Sequence, residues 1–125
     1  MTMIDGRDGL RSADGLRLRT RSEGSGTVLT VSGEIDMQSS TVLREVLTDL
    51  IETGSHLVVI NMGGVTFLDS TGLKALIYAR KQIREHRGSL RLVALRSGPA
   101  KVIEITGLSD MFPIWDTVED ALRFD

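Results

Sequence analysis

Hydrophobic residues along this chain follow a spacing of two in some segments and a helical spacing in others. The segment 16–20 alternates apolar and polar positions and places Arg17, Arg19 and Arg21 on one side, which predicts a half-exposed strand with the arginines on its solvated face. A β-branched segment at 27–33 predicts a second strand, paired antiparallel with the first as a hairpin. The arginine row is compatible with an RNA-binding surface, but a solvated edge strand explains it better.

Adjacent apolar pairs recur every four residues between 42 and 51, which predicts an amphipathic helix. One of the hydroxyl residues 39–41 is the expected N-cap, and Gly54 is the expected left-handed end of the helix. The short apolar run 56–60 then predicts a strand buried on both faces of a parallel arrangement. Together these segments predict a strand-helix-strand crossover.

The remaining elements follow in the same alternation. We expect a loop at 62–68, a helix from Asp69 that stops at Gly88, a strand at 90–95, a helix near Pro99, an edge strand at 112–115 and a last helix after a capping box at Asp116. The order β-β-α-β-α-β-α-β-α predicts an α/β domain with a mixed, largely parallel sheet of about five strands and about four helices. Residues 1–14 are expected to be a flexible extension before a domain at 15–125.

Composition narrows the possible functions. The 125 residues carry 15 Lys plus Arg, 17 Asp plus Glu, 2 His and no Cys. A formal charge of -2 argues against a nucleic-acid binder, and the absence of cysteine removes thiol nucleophiles and thiolate metal sites. No apolar run is long enough for a membrane span, and the polar first residues do not form a signal peptide, so we expect a cytoplasmic protein without a membrane partner.

The most distinctive segment is Phe67-Leu68-Asp69-Ser70-Thr71-Gly72, where a carboxylate and two hydroxyls occur at a predicted helix start. A helix N-cap explains these residue types without any function. Two features favour a functional surface instead. Phe67 and Leu68 are apolar residues in a predicted exposed turn, and Gly72 in the first helical turn costs ~1 kcal/mol relative to Ala, which suggests close approach by another backbone.

The segment from Val65 to Leu73 resembles the signature of the anti-sigma factor antagonists, the stand-alone STAS domains of bacteria, and is most similar to their actinobacterial members. The resemblance continues in order through Gly33-Glu34-Ile35-Asp36, the strands at 56–60 and 89–93, and the segments 105–108 and 112–114. It implies a STAS-type fold over residues 15–125 and a regulatory domain that is not an enzyme and needs no cofactor or metal.

The resemblance also implies a phosphorylation switch. An anti-sigma factor that is itself a serine kinase would phosphorylate Ser70, and a metal-dependent serine phosphatase would reverse the reaction. The unmodified protein would bind the anti-sigma factor and release the sigma factor. The residues expected to contact the partner are Asp36, Phe67, Leu68, Asp69, Thr71, Gly72 and Lys74. Lys74 departs from the family pattern, in which many members have Gly.

Three other interpretations fit the residues less well. A nucleotide- or small-ligand-sensing STAS module is the main alternative. A small hydrolase lacks a catalytic constellation, and a phospho-aspartate receiver would need a different chain order from the loose acidic pair Glu34 and Asp36. Tyr78, Trp115 and His56 are expected to be structural residues rather than site residues.

Overall fold

The strands of the sheet lie side by side in the order in which they occur in the sequence. The computed structural model describes residues 9–123. Its strands are β1 (Gly9–Ala13), β2 (Leu16–Glu23), β3 (Gly26–Ile35), β4 (Leu57–Leu68), β5 (Ser89–Val93) and β6 (Ile114–Trp115). Its helices are α1 (Ser39–Glu52), α2 (Ser70–Glu85), α3 (Ser97–Ile105) and α4 (Val118–Arg123). The predicted mixed α/β class with four helices is confirmed, but the sheet has six strands.

Pairing in the sheet changes from antiparallel to parallel at β3. The β1–β2 and β2–β3 pairs are antiparallel, whereas β3–β4, β4–β5 and β5–β6 are parallel. The parallel strands need crossover helices, and the amphipathic α1 and α2 supply two of them. The hairpin of β2 and β3 and the edge position of β6 were predicted correctly.

Aliphatic side chains form a core on each face of the sheet. The larger cluster joins the sheet to α1, α2 and α3 and includes the buried Leu43, Leu47 and Leu76. The smaller cluster lies beneath α4 and contains Val28 and Val59. Burial on both faces explains why the central strands are continuous apolar runs.

The first described strand corrects one expectation. Residues 9–13 pair with residues 16–20 of β2, and Arg11 Nη2 donates to Glu45 Oε1 on α1 at 2.6 Å. The expectation of a flexible extension is therefore wrong for 9–13, while residues 1–8 lie outside the described residues and the domain boundary stays a prediction. Strand pairing needs only backbone groups, and the Asp14-Gly15 turn has the positive φ angles that a tight hairpin requires.

The arginine row also lies in a different place from the one expected. β2 has a hydrogen-bonded neighbour on each side, so Arg17, Arg19 and Arg21 are exposed on the face of an interior strand and not on an edge strand. Arg21 Nε lies 2.8 Å from Glu23 Oε2. The prediction that the arginines face solvent is confirmed.

Residues 62–68 belong to β4 and do not form the predicted loop. The pairing of β3 with β4 shifts register between Thr30 and Ser32 and again between Gly33 and Glu34. Gly64 permits the first irregular section, because a Cβ at that position would lie 2.6 Å from Ser32 Cβ. The glycines that suggested a loop therefore allow two strands to approach closely around bulges.

The end of the chain shows one smaller correction. Thr117, and not Asp116, provides the side-chain acceptor at the start of α4, because its Oγ1 accepts from Asp120 N at 3.1 Å. Asp116 thus lies one residue before the capping position.

Candidate functional site

The carboxyl ends of β3 and β4 are joined side by side. Ile35 pairs with Leu68, and the backbone N–H of Asp69 donates to the carbonyl oxygen of Ile35 at 3.1 Å. Asp36 directly follows β3, and Asp69 directly follows β4. The fold therefore brings together at one sheet edge the two motifs that lie 33 residues apart in the sequence.

Asp36 holds the turn that leads into α1. Its Oδ1 accepts from the backbone N–H groups of Gln38 and Ser39, both at 3.0 Å. Ser39 Oγ donates to the carbonyl oxygen of Glu34 at 2.7 Å and thereby braces the same turn. The hydrogen bond from the Ser39 backbone holds the pKa of Asp36 below its usual value. The predicted side-chain N-cap within 39–41 is wrong, because Asp36 supplies the acceptor from before the helix.

Asp69 caps α2. Its Oδ1 accepts from Thr71 N at 2.9 Å and Gly72 N at 3.0 Å, and also from the hydroxyl of Thr71. Burial raises the pKa of Asp69, but the hydrogen bonds from Thr71 and Gly72 outweigh both burial and the nearby charge of Asp36, so the pKa lies below its usual value. The capping role that residue types alone suggested is thus present at this site.

Ser70 is the hydroxyl that remains available. Its side chain is exposed and forms no hydrogen bond to any residue between 9 and 123, whereas the half-buried Thr71 is committed to Asp69. Two other predicted contact residues are exposed close by along the chain: Phe67 is 47% exposed, and Lys74 lies one turn further along α2. The arrangement presents one free hydroxyl next to Asp69, whose carboxylate is close enough to that of Asp36 for the two charges to interact.

Two of the predicted contact residues are buried. Leu68 is only 2% exposed, because it lies in a strand and not in an exposed turn. Gly72 is also buried, and a Cβ there would lie 2.4 Å from Ile35 Cγ2 and 2.7 Å from Leu68 Cδ1. Side chains, and not another backbone, make the close approach that Gly72 permits. These two residues pack beneath the surface, against Ile35 and each other.

A groove between α1 and α2 adds residues that the sequence did not reveal. The groove has a volume of about 480 Å³, and its walls include Met37, Thr41, Arg44, Lys74 and Tyr78. Met37 is 72% exposed, and Tyr78 is 50% exposed with Arg44 stacked at 5.2 Å from its ring centroid, so the expectation of a packed Tyr78 is wrong. The polar positions in the two predicted helices indicate that each helix has an exposed face. They do not show how α1 packs against α2, which is what forms the groove.

Between residues 9 and 123, no group of three or more His, Asp or Glu side chains is arranged to hold a metal ion. No helix in that range is long and apolar enough to cross a membrane.

The fold and this edge define a small α/β domain with a candidate protein-recognition surface. The family model described as STAS domain matches residues 17–121, and the chain belongs to the STAS domain family. An anti-sigma-B factor antagonist of Bacillus subtilis (strain 168) is 38% identical over 84 residues, which are 67% of this chain and 76% of that protein.

Solved structures agree with this assignment. A crystal structure of an anti-sigma factor antagonist from Mycobacterium paratuberculosis has a TM-score of 0.79 at 30% identity and covers 89% of this chain and 94% of that chain. The anti-sigma factor antagonist SpoIIAA in its unphosphorylated form has a TM-score of 0.73 at 20% identity, covering 84% and 92% of the two chains, and supports the fold alone. The resemblance to antagonists, including an actinobacterial one, is confirmed.

Proposed function

We propose that this chain is an anti-sigma factor antagonist that works by partner switching. The unmodified domain binds an anti-sigma factor, and the sigma factor is released. The same anti-sigma factor is the serine kinase that phosphorylates Ser70, and the phosphorylated domain no longer binds. A metal-dependent serine phosphatase restores the unmodified form. The domain itself catalyses no reaction and works in the cytoplasm, where its partners act.

The observation that carries this proposal is the accessibility of the Ser70 hydroxyl. A kinase must reach the acceptor hydroxyl, and Ser70 is exposed without a competing hydrogen bond in the described chain. Thr71 is a less suitable site for phosphorylation because its hydroxyl already donates a hydrogen bond to Asp69. The two adjacent hydroxyls therefore differ in accessibility in the way that a single-site switch requires.

Electrostatics explains how a phosphate would prevent binding. A phosphate adds about -1.5 to -2 charge, and Ser70 lies beside Asp69 at the edge that also carries Asp36. A partner shaped for a neutral hydroxyl would have to desolvate these charges together. A penalty of ~3 to 5 kcal/mol would weaken binding by about a hundredfold to several thousandfold.

The proposed contact surface consists of the accessible residues around Ser70. We assign Asp36, Phe67, Asp69, Thr71 and Lys74 to it, since each is exposed or half-buried. Leu68 and Gly72 are assigned the supporting role that their burial favours. The surface then combines the aromatic ring of Phe67, two carboxylates and the ammonium group of Lys74 around the hydroxyl of Ser70.

Phosphate mapping tests the proposal. The purified domain is incubated with host lysate and ATP, and the modified residue is located by mass spectrometry. We expect phosphate on Ser70, none on the Ser70→Ala variant, and normal incorporation in the Thr71→Ala variant. The Ser70→Ala variant should still bind the anti-sigma factor, because it places no charge on the surface. Phosphate on Thr71, or undiminished binding by fully phosphorylated domain, would refute the proposed switch.

A further inference from the structure

Lys74 lies one helical turn beyond Ser70 on the same face of α2. Both residues are exposed, and side chains four positions apart on a helix have Cβ atoms ~5 to 6 Å apart. Within residues 9–123, no carboxylate forms an ion pair with Lys74. A flexible lysine with no counter-ion is therefore within reach of the hydroxyl that we assign as the switch.

We propose that Lys74 is the intrachain counter-ion of phosphoserine at position 70. The inference depends on the proposed function, since it assumes that Ser70 is the residue modified. The pair would form between Lys74 Nζ and the phosphate oxygens over the first turn of α2. An anion placed four residues before a lysine has the more favourable of the two helix orientations.

The neighbouring charges make Lys74 the cation best suited to this role. Asp69 is adjacent to Ser70, and the charge of Asp36 acts on Asp69, so the carboxylates at this edge oppose a phosphate on Ser70 and only the N-terminus of α2 offsets them. Arg44 of α1 also lines the groove that contains Lys74. Its guanidinium, however, is already stacked over the ring of Tyr78. Lys74 needs only to rotate its side chain, because its ammonium group has no ionic partner in the described chain to leave.

This ion pair would stabilise the phosphorylated form of the domain. Charge-assisted hydrogen bonds from an ammonium group to phosphate are stronger than those between neutral groups. The phosphate would be held over α2 and would not rotate freely in solvent. The free phosphorylated domain would be stabilised by its own lysine, without help from a partner.

The experiment uses the full chain with phosphoserine installed at position 70 during translation. The second phosphate pKa is measured by ³¹P NMR titration in the wild-type protein, in the Lys74→Gln variant and in the Lys74→Arg variant. The matched control is Lys81→Gln, which removes the same charge from the same helix face. Lys81 is eleven residues from position 70, ~16 Å along the helix axis, and is therefore screened at physiological salt.

We expect Lys74→Gln to raise the phosphate pKa by roughly 0.15 to 0.4, whereas Lys74→Arg keeps the wild-type value and Lys81→Gln leaves it unchanged. The rise should be absent at 1 M salt, where exposed pairs are screened. Equal small effects of Lys74→Gln and Lys81→Gln would overturn the pairing. The result is independent of whether a kinase chooses Ser70, because the phosphate is installed, so failure of the switch and failure of the pair are separate outcomes.

Discussion

The hydrogen bond from the Asp69 backbone N–H to the Ile35 carbonyl oxygen, 3.1 Å long, fixes the two halves of the site to each other. Each partner of this bond is next to a site residue, since Asp36 follows Ile35 and Ser70 follows Asp69. The relative position of Asp36 and Ser70 is thus set by backbone pairing and not by flexible side chains. Modification of Ser70 can change the charge at this edge without requiring the sheet to move.

Charge at position 70 should weaken partner binding more than size does. We expect Ser70→Glu to bind the anti-sigma factor at least tenfold more weakly than wild type, because its carboxylate carries part of the charge of a phosphate. Ser70→Gln has nearly the same volume without the charge and should lose less. Binding measured by titration calorimetry checks the difference, and equal losses for the two variants would show that steric bulk causes the block.

Asp36 should contribute charge to binding and a cap to stability, and two variants separate these roles. Asp36→Asn keeps a side-chain acceptor for the N–H groups of Gln38 and Ser39, so we expect an almost unchanged melting temperature and altered partner affinity. Asp36→Ala loses the acceptor as well and should therefore have a lower melting temperature than Asp36→Asn. Thermal unfolding and a binding assay on both variants are the measurements. A binding affinity equal to wild type for Asp36→Asn would remove Asp36 from the contact surface.

Gly72 should be intolerant of a methyl group. The added Cβ of Gly72→Ala would overlap the buried side chains of Ile35 and Leu68, and we expect a loss of about 1 to 2 kcal/mol despite the better helix propensity of alanine. Gly98 in α3 is the matched control, because the nearest atom to its Cβ is Thr66 O at 3.9 Å. Gly98→Ala should be neutral or gain up to about 1 kcal/mol. Urea unfolding curves that show no loss for Gly72→Ala would contradict the close packing of α2 on β3 and β4.

Acid should weaken the fold partly through Asp69. The pKa of Asp69 is lower in the folded state than its ordinary value of 3.8. The ionised carboxylate therefore stabilises the fold at pH values above 3.8, and this contribution is lost as the pH falls through the folded-state pKa. Asp69→Asn, which retains an acceptor for the cap, should therefore unfold with a shallower pH dependence between about pH 4.5 and 2. The control is Asp116→Asn at an exposed carboxylate that accepts no hydrogen bond from the described residues. An unchanged pH dependence in Asp69→Asn would show that its cap hydrogen bonds do not favour the ionised form.

Local patterns predicted the elements whose signals are contained within one segment. The apolar pairs of α1, the cap of α2 and the antiparallel hairpin of β2 and β3 each depend on residues close in sequence. The STAS resemblance was also visible, because the segment 65–73 is continuous. These features needed no knowledge of which elements pack together.

The errors arose where a distant segment determines the local conformation. Residues 62–68 contain two glycines and read as a loop, but β3 pairs with them along a bulged register. The burial of Leu68 depends on its pairing with Ile35, 33 residues earlier, and the exposure of Tyr78 depends on how α1 and α2 pack, so neither follows from the local pattern. Nonlocal pairing of this kind is absent from a single-sequence pattern.

The agreement between strand order and chain order has a consequence for folding kinetics. Each strand from β1 to β6 pairs with the strand that follows it in the sequence, so none must be inserted between two strands that are already paired. Each pairing closes only one turn or one crossover, which keeps the relative contact order low for a largely parallel sheet. The chain can therefore extend its sheet one strand at a time, and the edge that carries Asp36 and Asp69 is complete as soon as β3 and β4 have joined.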